Sequence, residues 1–255
     1  MTAPLKVWLE ADGALLRLRL DRPKANVIDG PMVAALTTAL ASHAGLAGLK
    51  GVLLDAEGPN FSFGASVEEH LPAQCAAMLE RFHALLLRMI DCPVPILVAV
   101  RGQCLGGGLE LAIAGHLMFA AADAKFGQPE IKLGVFAPAA SCLLPERVAR
   151  VAAEDLLFSG RSVDAEEAVR IGLANRIADD PTAAAFQYYD EYLAPLSASS
   201  LGHAVRAARV GFTERVRDEI GRVERRYLDE LMATRDAVEG LEAFIAKRAA
   251  NWENR

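Results

Sequence analysis

The sequence predicts an α/β fold, and three observations carry that expectation. Two short apolar runs, residues 51–55 (GVLLD) and 96–100 (ILVAV), have the composition of buried parallel strands. Between them, residues 74–91 place apolar side chains at 75, 78, 79, 82, 85, 86, 89 and 90, the i, i+3, i+4, i+7 spacing of an amphipathic helix. From about residue 181 onward the pattern is helical. Strands alternating with helices pack as layers, with the loops at strand ends free to form a site.

Taken in order, residues 6–20 read as a hairpin. Val7 and Leu9 alternate, Asp12-Gly13 is a two-residue turn signal, and Leu16, Leu18 and Leu20 alternate with Arg17 and Arg19. Asp21-Arg22-Pro23-Lys24 ends the strand, and a helix starting at Pro31 puts Val33, Leu36 and Leu40 on one face. After strand 51–55 comes a loop over residues 58–66, GPNFSFGAS. Helix 74–91 is stopped by Cys92-Pro93-Val94-Pro95, and strand 96–100 then leads into glycine-rich residues 102–112. A further strand over 117–121 ends before residues 124–134, AKFGQPEIKLG. Asp164 and Glu167 form a capping box for a helix that Gly172 closes. Residues 213–234 are charged, with Asp218–Arg222 and Arg226–Glu230 at i, i+4 spacing. No repeat period and no low-complexity linker occurs, so the expectation is one α/β core over residues 1–180 and a helical region over 181–255.

Composition narrows the function. The 255 residues are 53% hydrophobic and 24% charged, enough chain for a large core. A formal net charge of −6 argues against a nucleic-acid partner. The N-terminal MTAPLKVWLE lacks the layout of a signal peptide, and the most apolar stretch, residues 105–122, is broken as a membrane span by three glycines, Glu110 and His116. Cys75, Cys92, Cys104 and Cys142 include no C-x-x-C pair, so buried free thiols and a cytoplasmic location are expected.

The chemistry gathers in GQCLGGGLELA, residues 102–112. Gly106, Gly107 and Gly108 precede a helical run, where glycine admits close backbone approach and the first amides have no partner within the helix. Glu110 lies among Leu109, Leu111, Ala112 and Ile113 with no adjacent base, so desolvation raises its pKa toward the range useful for proton transfer. Unpaired amides beside a tuned carboxylate suit a carbonyl compound. The glycines match neither G-x-G-x-x-G nor the P-loop pattern, although plain close packing of strand on helix would also use them. Glu130, in Gln128-Pro129-Glu130-Ile131, reads by itself as a solvated loop residue. The five histidines, 43, 70, 83, 116 and 203, show no metal-binding spacing, and His83 reads as structural. No G-x-S-x-G elbow is present, and Cys104 and Cys142 read as small buried hydrophobes. No metal is expected.

Five stretches together resemble the crotonase (enoyl-CoA hydratase/isomerase) superfamily over nearly the whole chain: LRLDRPKAN, NFSFGAS, VPILVAVRGQCLGGGLELA, AKFGQPEIKLG and AFIAKRAANW. The resemblance implies a fold of repeated β-β-α units followed by a helical C-terminal region that takes part in trimerisation. It implies an acyl-CoA thioester as substrate, with no separate cofactor because coenzyme A is part of that substrate. It also implies a homotrimer or dimer of trimers. Its oxyanion hole falls on the amides of Ala65 and Gly107, and its two acid/base glutamates fall on Glu110 and Glu130, with Glu110 favoured to activate water and Glu130 to donate the proton. Lys24 and Ala25 match its contact with the nucleotide part of coenzyme A. Lys247 falls where a neighbouring subunit's thioester would lie, and Ser62, Phe63, Gly64 and Phe136 complete the expected substrate-binding set.

Three departures from the family pattern bear on the acyl group. Ser66 replaces the aspartate of the usual G-A-D, Phe63 stands where a small residue is usual, and Val135-Phe136-Ala137-Pro138-Ala139-Ala140-Ser141-Cys142 replaces a glycine-rich stretch. They imply a pocket shaped for something other than a straight chain. A straight-chain hydratase, a double-bond isomerase and a non-catalytic oligomeric binding protein are the alternatives.

Overall fold

The computed structural model describes residues 3–255; the first two residues of the N-terminal stretch considered above lie outside it. The main sheet has six strands in the order β1-β2-β3-β4-β6-β9: β1 (Leu5–Glu10), β2 (Leu15–Leu20), β3 (Gly51–Ala56), β4 (Ile96–Val100), β6 (Leu117–Ala120) and β9 (Arg176–Ile177). Only β1 runs antiparallel to its neighbour. A second sheet of three short strands, β5 (Gln103–Leu105), β7 (Lys125–Gly127) and β8 (Ser162–Asp164), lies apart from it. The units β4-β5-α3 and β6-β7-α4, with α3 at Gly107–Ala114 and α4 at Pro138–Arg147, show the β-β-α repeat expected of the fold.

Alternation along β2 explains the layering. Leu16, Leu18 and Leu20 join the large core with α1 (Gly30–His43) and α2 (Cys75–Ile90). Arg17 and Arg19 point the other way and grip Asp55 of β3, with Arg17 Nη2 at 2.9 Å and Arg19 Nη2 at 2.7 Å from Oδ2. That second face is covered by α7 (Pro181–Tyr188) and the π turn Tyr189–Leu193, whose Ala185, Tyr189 and Leu193 pack on Leu15, Leu53, Leu97 and Phe119. Strands covered on both faces explain why 51–55 and 96–100 are apolar throughout.

Most elements fall where the sequence places them. In α2 all eight periodic apolar positions are buried, and in α1 Asp29 caps the helix by accepting from the Met32 amide. Four details differ. The hairpin turn spans residues 11–14 rather than two, because Glu10 pairs with Leu15 and Ala11, Asp12 and Gly13 all take positive φ. Asp164 does cap α6 (Ala165–Arg170) through the Glu167 amide, but Glu167 turns away to Arg161 and Arg170 instead of closing a reciprocal box. Of the two helix-face pairs, Arg226–Glu230 forms at 3.1 Å, while Asp218–Arg222 makes no ion pair. Strands β5, β7, β8 and β9 have two or three residues each, too short to show a period.

The last elements are α5 (Arg150–Ser159), α8 (Ala198–Arg225), the π turn Arg226–Glu230, and α9 (Arg235–Ile245). Helix α8 packs along α2 and α4. Helix α9 is drawn onto the 3-10 turn Pro129–Leu133, because Gly240 has no side chain to hold it off the Leu133 carbonyl. Among the described residues, no helix is long and apolar enough to cross a membrane. All four cysteines are buried and unpaired, as expected from their spacing.

Candidate active site

A cavity of about 390 Å³ opens where the loop after β3, the start of α3, the Pro129–Leu133 turn and α9 meet. Its construction begins with the loop over residues 60–66. Ser62 donates its amide to Gln103 O (2.9 Å), and Leu105 donates to Ser62 O (3.0 Å), so the loop lies along β5 like an added strand. Gly64 takes φ +107°, a region open to glycine, and a side chain there would press on Leu105 O. Gly107 is bare for the same reason: a Cβ on it would lie 3.0 Å from the Ala65 nitrogen. The Ala65 and Gly107 amides are thereby brought side by side at the cavity wall. Among the described residues, neither donates to any acceptor. Two unpaired N–H groups converging in this way are suited to developing negative charge on one oxygen.

Glu110 is carried in by the first turn of α3 and is 5% exposed. Its Oε1 accepts from the Ala140 amide at 2.7 Å. Burial raises its pKa, while the Ala140 amide, the charge of His83 and the Ala139 amide each pull it back. Glu130 reaches the same cavity from the Pro129–Leu133 turn. Its Oε1 sits where a side chain on Gly106 would be, which is why that position, at φ +51°, has none. Buried Gln128, with its amide nitrogen turned inward, donates to the two Glu130 oxygens at 3.2 and 3.0 Å. Burial first, and then the charge of Glu110, push the Glu130 pKa up to about 8. The two carboxylates thus share one desolvated space, and the pull toward ionisation is stronger on Glu110. Such a pair holds one proton between its members at neutral pH.

The remaining wall is apolar. Phe136, edge-on to Tyr227 at 5.2 Å, lies on it beside Val135 and Ala137, and Phe63 stands at the mouth, half exposed. Helix α2 adds Met78, Leu79 and Phe82, and α9 adds Leu241 and Phe244. Sequence reasoning missed these five as cavity residues, since a periodic apolar face looks the same whether it meets a core or a hole. It also missed His70, whose Nδ1 donates to Ser66 O at 2.7 Å and whose pKa burial lowers, leaving a neutral ring on the cavity wall.

The other expected site residues divide. Gly64, Ala65, Gly107, Glu110, Glu130, Phe63 and Phe136 meet at the cavity. Ser62 does not line it. It is fully buried, donates to Asn26 O at 2.8 Å and accepts from the Gly64 amide at 3.1 Å, so it braces the loop from beneath. Glu130 is likewise no solvated loop residue; the 3-10 turn after Pro129 aims it inward. Lys24 and Ala25 lie outside the lining but hold the rim, Ala25 O accepting from Phe63 and Lys24 O from the Asn60 side chain. Lys247, exposed after α9, lies outside this chain's cavity. A second, shallower groove of about 690 Å³ between Arg17, Asp180 and Glu191 gathers no pair of this kind.

The chain matches the model of the family described as enoyl-CoA hydratase/isomerase over residues 10–255. It is 65% identical over 254 residues to a cyclohexa-1,5-dienecarbonyl-CoA hydratase of Thauera aromatica, covering 100% of this chain and 98% of that protein. It is 30% identical over 256 residues to a carnitinyl-CoA dehydratase of Salmonella typhi, covering 97% and 98%. Among solved structures, an enoyl-CoA hydratase/isomerase from Pseudoalteromonas atlantica superposes with a TM-score of 0.85 at 29% identity, covering 98% and 99% of the two chains.

Proposed function

The chain belongs to the enoyl-CoA hydratase/isomerase family, and on that premise we propose that it adds water to cyclohexa-1,5-diene-1-carbonyl-CoA, giving 6-hydroxycyclohex-1-ene-1-carbonyl-CoA. One observation carries the reaction class: two coupled glutamates face two unpaired amides across one apolar cavity. The ring substrate is supported by the full-length similarity to the Thauera protein and by Phe63 and Phe136 at the cavity.

The thioester oxygen accepts from the Ala65 and Gly107 amides, which polarises the diene. Glu110, its Oε1 held by the Ala140 amide, takes a proton from water as the oxygen attacks C2. The electron pair moves into an extended dienolate, whose oxygen charge the two amides receive; in other enzymes one such donor is worth about 2.7–4 kcal/mol. Glu130 then delivers its proton to C5, leaving a double bond conjugated with the thioester. Water is consumed and nothing is lost, a net 1,4-addition. The proton left on Glu110 returns to Glu130 within the coupled pair.

Because the donor must hold its proton, the pH dependence has a definite sign. Activity is present below the Glu130 pKa and is lost as pH rises through about 8. The profile of kcat/KM, which reports the free enzyme, is expected to show that alkaline fall; a flat profile to pH 9.5 would remove Glu130 as donor.

The test of function is turnover of the dienoyl-CoA in heavy water, run beside crotonyl-CoA. The expected result is a hydroxy-ene product carrying deuterium at the far ring carbon. Turnover of crotonyl-CoA alone would discard the ring substrate, and turnover of neither would favour a binding role. A role in anaerobic breakdown of benzoyl-CoA, in the cytoplasm, is part of the proposal, and the full-length similarity to the Thauera hydratase supports it. The assembly we expect is a homotrimer or dimer of trimers, in which residues 181–255 take part and Lys247 approaches a neighbour's thioester. Apolar side chains left exposed on α5, Val151 and Phe158, support such packing.

A further inference from the structure

Away from the catalytic cavity, His116, Arg147 and Arg209 meet at a pocket of about 280 Å³ between α3, the end of α4 and α8. Among the described residues, neither arginine forms an ion pair. Arg147 is directed at carbonyls: Nη1 donates to His116 O at 3.0 Å and Gly115 O at 3.4 Å, and Nε donates to Leu173 O at 3.4 Å. Arg209 lies over the Phe212 ring, its Cζ 4.5 Å from the centroid. The acids nearby are engaged elsewhere. Glu146 also lines the pocket, but its two oxygens accept from Arg215 at 2.9 and 2.7 Å, and Asp91 pairs with Arg217. Two partly buried guanidinium charges thus stand together with only neutral partners, although buried charges are ordinarily paired.

The tautomer of His116 adds a second, independent observation. Its Nδ1 accepts from the Ile96 amide at 3.0 Å, so Nδ1 carries the lone pair and Nε2 carries the hydrogen. Nε2 lies 2.9 Å from Arg209 Nη1, a nitrogen that can only donate. Protonating the ring would not help, since it would set an Nδ1 hydrogen against the Ile96 amide. Burial and the charges of Arg209 and Arg147 keep the ring neutral, its pKa lowered to about 3. Two N–H groups therefore face each other at hydrogen-bond distance, and an acceptor lying against both would satisfy them.

Charge and shape define that acceptor. Two guanidinium cations and a neutral N–H match a group with several oxygens and a charge near −2. A phosphoryl group carries about −1.5 to −2 at pH 7, and the planar arginine fork suits its oxygens. A single carboxylate would leave one cation unmatched. Ile113, Leu143 and Phe212 give the pocket an apolar side against which a small phosphate ester could rest. We infer that His116, Arg147 and Arg209 form a binding site for a phosphoryl group, separate from the catalytic cavity. None of the three lines that cavity, and the inference does not depend on the hydration chemistry.

Equilibrium dialysis of the full chain with inorganic phosphate, at constant ionic strength set by chloride, tests it. The expected result is saturable binding at one such site per chain. Arg209→Gln should weaken it about tenfold or more, the worth of a hydrogen bond to a charged group. Ala208→Glu, which sets a carboxylate among the same donors from a lining position, should abolish it. Arg226→Gln, at an exposed arginine paired with Glu230 outside the pocket, should leave it unchanged. A parallel titration with glycerol 3-phosphate separates the sources: equal or tighter binding assigns the site to esterified phosphate, and weaker binding assigns it to the free anion. Absence of saturable phosphate and ester binding overturns the inference, as does undiminished affinity in Arg209→Gln. If that variant does not fold, undiminished affinity in Ala208→Glu overturns it instead.

Discussion

Glu130→Gln is expected to fold normally and to lose hydratase activity by about 10²–10⁴-fold in kcat, the usual worth of a positioned acid or base. The amide is nearly isosteric, and in place of a partly desolvated acid it leaves a neutral group on the cavity wall, so thermal stability should be unchanged or slightly higher. Glu110→Gln should lose a similar amount, with the Ala140 amide still donating to the new side-chain oxygen. The residual rates separate the roles. With Glu130 replaced, the alkaline fall near pH 8 disappears, because the group that loses its proton there is gone. With Glu110 replaced, the acid rise disappears instead. Matched initial-rate and melting measurements on both variants settle the assignment. Near-normal turnover in both would refute the two-carboxylate mechanism, and an exchange of the two limbs would reverse the roles.

Gly106→Ala is the second large effect, and it acts through the backbone. Gly106 has φ +51° and ψ −128°, a conformation that costs a side-chain-bearing residue about 1–3 kcal/mol. The new methyl would also occupy the position of Glu130 Oε1. Relief requires the carboxylate to swing away or the Gly107 amide to turn from its neighbour at Ala65. Either movement dismantles the site, and misplacing one oxyanion donor is by itself worth about 10²–10³ in kcat. The expected outcome is a folded protein, destabilised by about 1–3 kcal/mol in denaturant titration, whose kcat falls at least about 100-fold. Wild-type kcat in this variant would show that Gly106 serves chain folding alone and that the Glu130 position is not restrictive.

How much of this was legible in the sequence differs between fold and site. The long elements were readable because each repeats its own signal: eight periodic apolar positions in α2, unbroken apolar runs in β3 and β4, alternating leucines and arginines in β2. Strands β5, β7 and β8 were not, since three residues carry no period and their pairing depends on partners far along the chain (Lys125 with Asp164, Gly127 with Ser162 and Gln103 with Lys125 among them). At the site, Glu110 announced itself by its apolar flanks. Glu130 did not, because nothing local distinguishes a glutamate after proline that faces water from one turned into a cavity. Only its spacing from the glycine run, in a pattern resembling the family, singled it out. Ser62 shows the converse: it sits in the loop at the cavity, but its hydroxyl bonds Asn26 and Gly64 beneath that loop, which its sequence neighbours do not reveal.

What the sequence by itself determined is therefore the local chemistry: which stretches are helix or strand, where glycine permits close approach, and which carboxylate is desolvated by its own neighbours. Each of these depends on residues within a turn or two. The tertiary structure decided which groups share a space. It set the Ala65 amide beside Gly107, brought Glu130 over Gly106, and closed the cavity with Leu241 and Phe244 of a helix more than a hundred residues away from either glutamate. Burial and Coulomb interaction depend on distance in space, not along the chain, so the raised pKa of the coupled pair exists only once the fold has brought its members together.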